Sequence, residues 1–142
     1  MRVKAFLFAL CSILLLGACG TPKTGGTVYN IMDYGAKGDG VTDDAAAIQT
    51  AIDQCSKSGG GTVLVPAGRT FMCSPFHLAS FVELHLEPNS CLLANPDEAA
   101  YTLSAFRDNR GEGMMWIYGQ DLKEVSITGT GTIDGNGVSF MG

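Results

Sequence analysis

The stretch Trp116-Ile-Tyr-Gly-Gln-Asp-Leu-Lys-Glu-Val-Ser-Ile-Thr-Gly-Thr-Gly-Thr-Ile-Asp-Gly-Asn-Gly137 constrains the fold more than any other part of the chain. Short β-branched runs, Val125 to Thr128 and Gly131 to Asp134, alternate there with glycine-rich corners. They suit a coil of a parallel β-solenoid, in which every short strand runs into a tight bend. A coil of this kind needs neighbours stacked on it. Because this one lies so near Gly142, the sequence reads as the opening coils of a longer solenoid. The last coil is then expected to leave one core face and its strand edges uncovered, making the 142-residue product poorly soluble or partly folded.

The chain begins differently. Met1-Arg-Val-Lys4 is basic, Ala5 to Leu16 is apolar, and Leu16-Gly-Ala-Cys19 follows. An apolar run of about twelve residues is shorter than the roughly twenty that span a bilayer, but it fits the core of a secretory signal. Small residues before Cys19 and a polar stretch after it match a bacterial lipoprotein signal, with Cys19 lipidated. Ordinary cleavage after Ala18, or an idle apolar Cys19, are the alternatives. The expected organisation is a signal over residues 1–18, a tether over 19–27 and a β-helix domain over 28–142. That arrangement predicts export to the bacterial cell envelope and a lipid anchor at its periplasmic face or surface.

Loss of residues 1–18 removes Arg2 and Lys4 and no acid, so seven basic side chains face fourteen acidic ones, a charge of −7 against −5 for the whole chain. This balance argues against nucleic acid as a partner. Cys55, Cys73 and Cys91 recur every eighteen residues, as if successive coils presented equivalent positions. Small buried hydrophobes explain three cysteines better than a disulfide does, and no Cys-x-x-Cys pair suggests zinc or redox chemistry.

The mature chain reads as strand Val28 to Met32, turns over Asp33 to Asp44, and one helix from Asp43 to Ser56. Thr42 or Asp43 can cap that helix, Ala45, Ile48, Ile52 and Cys55 form its apolar face, and Gly59-Gly-Gly61 stops it. Seven short strands follow: Thr62 to Val65, Thr70 to Cys73, Val82 to Leu86, Cys91 to Leu93, Met115 to Tyr118, Val125 to Thr128 and Gly131 to Asp134. Pro96 to Gly113 reads as a lateral loop. The fold class is an all-β solenoid, a right-handed parallel β-helix of about twenty residues per coil, with an N-terminal helix covering its open end.

Functional candidates are few. Asp39, Asp43 and Asp44 lack the alternating order of a calcium loop and are better explained as caps, and Asp43-Asp44 is rejected as a catalytic pair. His85 falls on the outer face of its strand, and His77 belongs to no motif. Arg107 and Arg110 are the best candidates to meet a carboxylated sugar, with a solvated loop face as the safer reading. Trp116 and Tyr118 could stack on a sugar or serve a core strand, and Asp134 is a turn residue first, with a place in a substrate cleft as its second reading. No phosphate-binding glycine motif and no cofactor or metal site emerges.

Two stretches carry a family resemblance. Asp33-Tyr-Gly-Ala-Lys-Gly-Asp-Gly-Val-Thr-Asp-Asp-Ala-Ala-Ala-Ile-Gln49 and Gly59-Gly-Gly-Thr-Val-Leu-Val-Pro-Ala-Gly68 resemble the N-terminal cap of the pectate-lyase-like β-helix superfamily. The pairing of Trp116-Ile-Tyr-Gly119 with Ile127-Thr-Gly-Thr-Gly-Thr-Ile-Asp-Gly-Asn-Gly137 is similar to glycoside hydrolase family 28, the polygalacturonases. The resemblance covers about Val28 to Gly142 and implies an inverting, metal-free hydrolase of α-linked galacturonan in pectin. The complete protein is expected to be a monomer. The family's catalytic motifs, Asn-Thr-Asp, Asp-Asp, His-Gly and Arg-Ile-Lys, find no match at equivalent positions, so no catalytic residue is carried over. A β-helical polysaccharide lyase and a non-catalytic glycan-binding or structural β-helix stay open as alternatives.

Overall fold

The structure is a computed structural model that describes residues 26–105 and 113–140. In chain order its elements are β1 (Val28–Asn30), a 3-10 turn (Ile31–Tyr34), β2 (Asp39–Asp43), α1 (Ala45–Lys57), β3 (Gly61–Val65), β4 (Thr70–Cys73) and β5 (Phe76–His77). Then come β6 (Val82–Leu86), β7 (Cys91–Ala94), a 3-10 turn (Glu98–Ala100), β8 (Ile117–Tyr118), β9 (Ser126–Gly129), β10 (Thr132–Asp134) and α2 (Gly137–Phe140).

Every named strand pairing is parallel. One sheet runs β1-β3-β6-β9, a second β2-β4-β7-β10, and a third pairs β5 with β8. The chain visits the three sheets in turn, so like strands stack and the fold is a parallel β-helix. Gly61 sits on Val82 and Thr70 on Cys91, a coil of 21 residues. The next coil is longer: Glu83 sits on Ser126 and Cys91 on Thr132, separations of 43 and 41. The extra length lies between β7 and β8, where Ser104 and Met114 form an antiparallel bridge. The lateral loop expected over Pro96 to Gly113 is thus an outgrowth at one corner, and its residues 106–112 lie outside the described residues.

The two-residue period of each strand decides what is buried. Val63 and Val65 on β3, Leu84 and Leu86 on β6, Phe71 and Cys73 on β4 and Leu92 on β7 all point inward and are fully or almost fully buried. Register stacks Val63, Leu84 and Ile127 in one column and Phe71, Leu92 and Ile133 in another. The columns stay apolar throughout, but Ile127 and Ile133, on the last strands of their sheets, are 45% and 43% exposed.

Helix α1 lies across the same core. It buries Ala47, Ile48, Ala51, Ile52 and Cys55 and packs on the first 3-10 turn and on β1, β3 and β6. Burying Ile48 and Ile52 contributes roughly 2 kcal/mol each. The helix starts at Ala45, not Asp43. The shift has a physical cause: Asp44 turns its carboxylate away from the helix to accept the amides of Lys37 and Gly38, at 2.7 and 3.0 Å. Asp43 serves the first helical amide, that of Ala45. At the other end Gly60 N–H donates to Cys55 O, which closes the last turn as the glycine run predicts.

Other expectations are corrected. Asp39 to Asp43, read as turns, form a strand that pairs with β4 through an irregular register. Ile31 and Met32, read as strand, begin a 3-10 turn capped by Asn30, whose side chain accepts from Met32 N–H. The cysteines do not stack, because the coil is 21 residues long and not eighteen: Cys73 pairs with Ala94 and Cys91 with Thr70. All three are free thiols, and burial pushes Cys73 up to about 12, which makes it inert as a nucleophile.

Candidate functional site

The outer face of the β1-β3-β6-β9 sheet carries a row of polar side chains that crosses three strands. Thr62, Glu83 and Ser126 share one register position, and Leu64, His85 and Thr128 share the next. Glu83 accepts from the Thr128 hydroxyl at 2.6 Å and from the Thr62 hydroxyl at 3.0 Å. These two bonds, Thr128's first, hold the Glu83 carboxyl below its usual range. The Thr128 hydroxyl has one proton and gives it to Glu83, so toward His85 it can only accept. His85 Nδ1, 2.7 Å away, must therefore be the protonated nitrogen. His85 is half-exposed as its strand position requires, yet it is a partner in a chain of bonds across the coils and not an isolated surface residue.

A second row runs along the corner that follows β2, β4 and β7. Asp43 accepts from the amide and hydroxyl of Ser74, from Ala45 N–H and, at 3.5 Å, from Asn95. Asn95 also donates to Ser74 Oγ, and Asn136, after β10, donates to Ala94 O. Burial alone would push Asp43 up, but the Ser74, Ala45 and Asn95 bonds outweigh it and hold the carboxyl below its ordinary value. Asp39 sits at about 2, held there first by Thr42 N–H, then by the Thr42 hydroxyl and Val41 N–H.

Hydrolysis of a glycosidic bond needs one carboxyl raised enough to donate a proton and another to activate water or attack. Asp39, Asp43 and Glu83 are all shifted the opposite way. They are suited to accepting hydrogen bonds and unsuited to protonating a leaving group. Among the described residues no group of three or more His, Cys, Asp or Glu side chains could hold a metal ion.

These shifts predict an acid limb of stability. Unfolded carboxyls titrate near 4, and the folded values lie lower, so the unfolded chain binds more protons in acid. The stabilisation is fully present above about pH 5 and is lost as pH falls through the folded values. Thermal melts should be flat from about pH 7 to 5 and shift downward below about pH 4. Asp43→Asn should make that acid slope shallower. A melting temperature unchanged down to about pH 3 would rule out this assignment.

The sequence-derived site residues fall apart in space. Trp116 is half-buried against the core, and its indole N–H donates to Cys73 O at 3.0 Å, so the core reading is the better one. Asp134 is exposed at the end of β10 and accepts from Asn136 N–H, an Asx turn as expected. Cys19, Arg107 and Arg110 lie outside the described residues. Neither polar row was foreseen, although Glu83 and His85 alternate with the apolar residues of β6 and so mark its outer face.

Residues 28–132 match the family described as rhamnogalacturonase A/epimerase, pectate lyase-like. A polygalacturonase of Chamaecyparis obtusa is 30% identical over 113 residues, which cover 78% of this chain and 20% of that protein. Alginate lyase 7 of Azotobacter vinelandii is 65% identical over 40 residues, 28% of this chain and 5% of that protein. Among solved structures, the family 28 exopolygalacturonase of Yersinia enterocolitica superposes with a TM-score of 0.67 at 30% identity, covering 79% of this chain and 21% of that one. The chain thus spans 5–21% of the length of these relatives.

Proposed function

Since the chain belongs to the pectate-lyase-like rhamnogalacturonase A/epimerase family and is a polygalacturonase-like β-helix, we propose that it forms part of a glycoside hydrolase that cleaves α-galacturonosyl linkages of pectin with inversion. The observation that carries this reading is the agreement in both sequence and structure with polygalacturonases over nearly four-fifths of the chain. The coils are taken as right-handed, the hand that parallel strand–crossover–strand connections adopt in nearly all cases. Helix α1 serves as the cover of the first coil, in keeping with its packing across the core.

The lowered carboxyls of Asp39, Asp43 and Glu83 support a further part of the proposal. The described residues orient substrate and carry the fold, and the bond-breaking carboxyls lie elsewhere in the enzyme. Export and lipid anchoring through Cys19 belong to the same proposal, on the strength of the N-terminal sequence alone. No helix among the described residues is long and apolar enough to cross a membrane.

The test is a chimera in which residues 28–142 replace the matched section of the Yersinia enterocolitica exopolygalacturonase. A folded chimera should release reducing ends from polygalacturonate, whereas the 142-residue chain alone should release none. A chimera that folds, by circular dichroism and a cooperative melt, but leaves polygalacturonate intact would overturn the reading.

The identity with alginate lyase 7 favours a second reading, in which the chain belongs to a β-helical lyase. That reading predicts calcium dependence and an unsaturated, ultraviolet-absorbing product from an acidic polysaccharide.

A further inference from the structure

Helix α1 turns one polar face to solvent. Ala46, Thr50, Gln54 and Lys57 recur at helical spacing and are exposed, opposite the buried Ile48, Ile52 and Cys55. On the flank of the helix, Gln49 accepts from His77 N–H at 2.9 Å and donates to His77 O at 3.2 Å, the two kinds of bond that a neighbouring strand makes. The helix thus stands where a first strand of the third sheet would stand. It closes the first-coil end of the stack, with its solvent face turned away from the coils. Lys57 is the cation of that face. Asp53, at the edge of the face, is turned to the flank, where it accepts from Gln49 at 2.9 Å. Asp43 and Asp44 precede the other end of the helix, about 20 Å from Lys57.

The chain enters the described structure beside the Lys57 end of this helix. Gly26 lines a surface recess together with Ser58, Gly59 and Gly60, and a Cβ on Gly26 would lie 3.3 Å from Gly61 Cα. Cys19 stands seven residues before Gly26 in the sequence, and that length of chain reaches at most about 25 Å. Residues 20–26 include Lys23 and no acid. The strands of the first sheet stack in the order β1-β3-β6-β9, at about 4.8 Å per step, so β9 lies about 14 Å beyond β1. Glu83 and Glu124, the acids that line the same recess, belong to levels two and three steps beyond β1.

We propose that the C-terminal half of α1 rests on the headgroups of an anionic bilayer, with the coils stacked away from the membrane. The assignment rests on the reading of Cys19 as a lipidated anchor and adds to it the surface that meets the lipid. A body on so short a tether can lie on α1, on a side, or inverted. Lying on a side brings Glu83 and Glu87, or Asp39 and Asp43, against the headgroups, which repel acids. Inversion lifts Gly26 by about 14 Å, takes up most of the tether, and lowers the exposed Asp121, Glu124 and Asp134 onto the same surface. Ile127 and Ile133 share that last-coil end, but they continue the inner columns of the coils. The α1 face instead offers hydroxyl and amide groups and the Lys57 ammonium, with Lys23 on the tether to the same surface. This posture leaves the Glu83 and Asp43 rows clear of the bilayer, on faces that a polymer in solution can reach.

The test uses the full chain, expressed in bacteria with its own N-terminus and reconstituted on vesicles of phosphatidylethanolamine and phosphatidylglycerol. A bulky, membrane-impermeant succinimidyl ester labels the lysines, and mass spectrometry reads the rate at each one. Lys57 should react about threefold or more slowly on vesicles than in the unanchored Cys19→Ala chain, and Lys123 should react equally fast in both. A lysine introduced by Gln54→Lys should be shielded like Lys57, and one introduced by Ser126→Lys should stay open like Lys123. Both positions are exposed, so neither substitution disturbs the core. Equal shielding of Lys57 and Lys123, or stronger shielding of Lys123 or of the Ser126→Lys reporter, would overturn the posture. The mass of the N-terminal peptide separates the two readings. An acylated chain with an open Lys57 removes the posture alone, and a chain without acyl groups removes the anchor and the posture together. Neither result bears on the hydrolase reading, which the chimera decides.

Discussion

Gly129→Ala should destabilise the fold by about 3–5 kcal/mol, combining left-handed backbone strain with an overpacked contact. Gly129 closes β9 at a φ of +98°, and a Cβ there would lie 1.9 Å from Leu86 O and 2.7 Å from Leu86 C. Neither is a flexible side-chain tip; both are backbone atoms of β6. That same Leu86 oxygen accepts the amides of Thr130 and Gly131, at 3.0 and 3.2 Å. A methyl group at this point therefore separates the last coil from the one beneath it, and the Thr-Gly-Thr-Gly motif is explained by the close approach. The melting temperature should fall by about 15 °C or more, since 1 kcal/mol shifts a domain of this size by several degrees. Hydrogen exchange should accelerate first at Thr130, Gly131 and Thr132. A melt within about 2 °C of the parent would show that the coils do not approach as closely as described.

Phe71→Ala should cost about 4 kcal/mol. Phe71 is, with Phe76, among the largest fully buried side chains of the described residues, stacked on Leu92 across β4 and β7. Its ring also reaches the loop before β2, where a Cβ on Gly38 would meet it at 2.8 Å. Removing the ring thus loosens two coils and the loop that Asp44 anchors. Because the surrounding backbone is tied by ladder bonds on both sides, the cavity can collapse only partly, which puts the cost in the upper part of the range for such truncations. Denaturant unfolding should show a lower midpoint with an unchanged slope, and Phe71→Leu should recover about half of the loss. Equal stability of Phe71→Ala and the parent chain would contradict the packing given for this column.

The strands that bury alternate residues were legible in the sequence. β4 and β6 run over the residues expected, because Phe71 and Cys73, and Val82, Leu84 and Leu86, mark one face without interruption. β2 was not legible: Asp39-Gly-Val-Thr-Asp43 has the composition of a turn and is a strand only because β4 lies beside it. β5, at two residues, is too short to show a period. The cysteine spacing misled for a related reason, since only the full coil length, loops included, decides which residues stack. The same holds for the sites. Asp43, Ser74 and Asn95 differ in type and stand 31 and 21 residues apart, so nothing local joins them. The contacts of His77 likewise depend on Gln49 and Tyr118 reaching one place from 28 residues upstream and 41 downstream.

Parallel stacking also gives the molecule a mechanical grain. The ladder bonds of all three sheets run from coil to coil, in the direction in which the coils pile up. Tension applied along that direction meets one short rung set at a time and unwinds the stack turn by turn. Tension applied across it, along the strands, must shear several rungs together. The side-chain rows through Glu83 and Asp43 lie parallel to the ladders and tie the coils at their outer face and at one corner. A β-helix of this construction is compliant when peeled from an end and stiff when pulled along its strands.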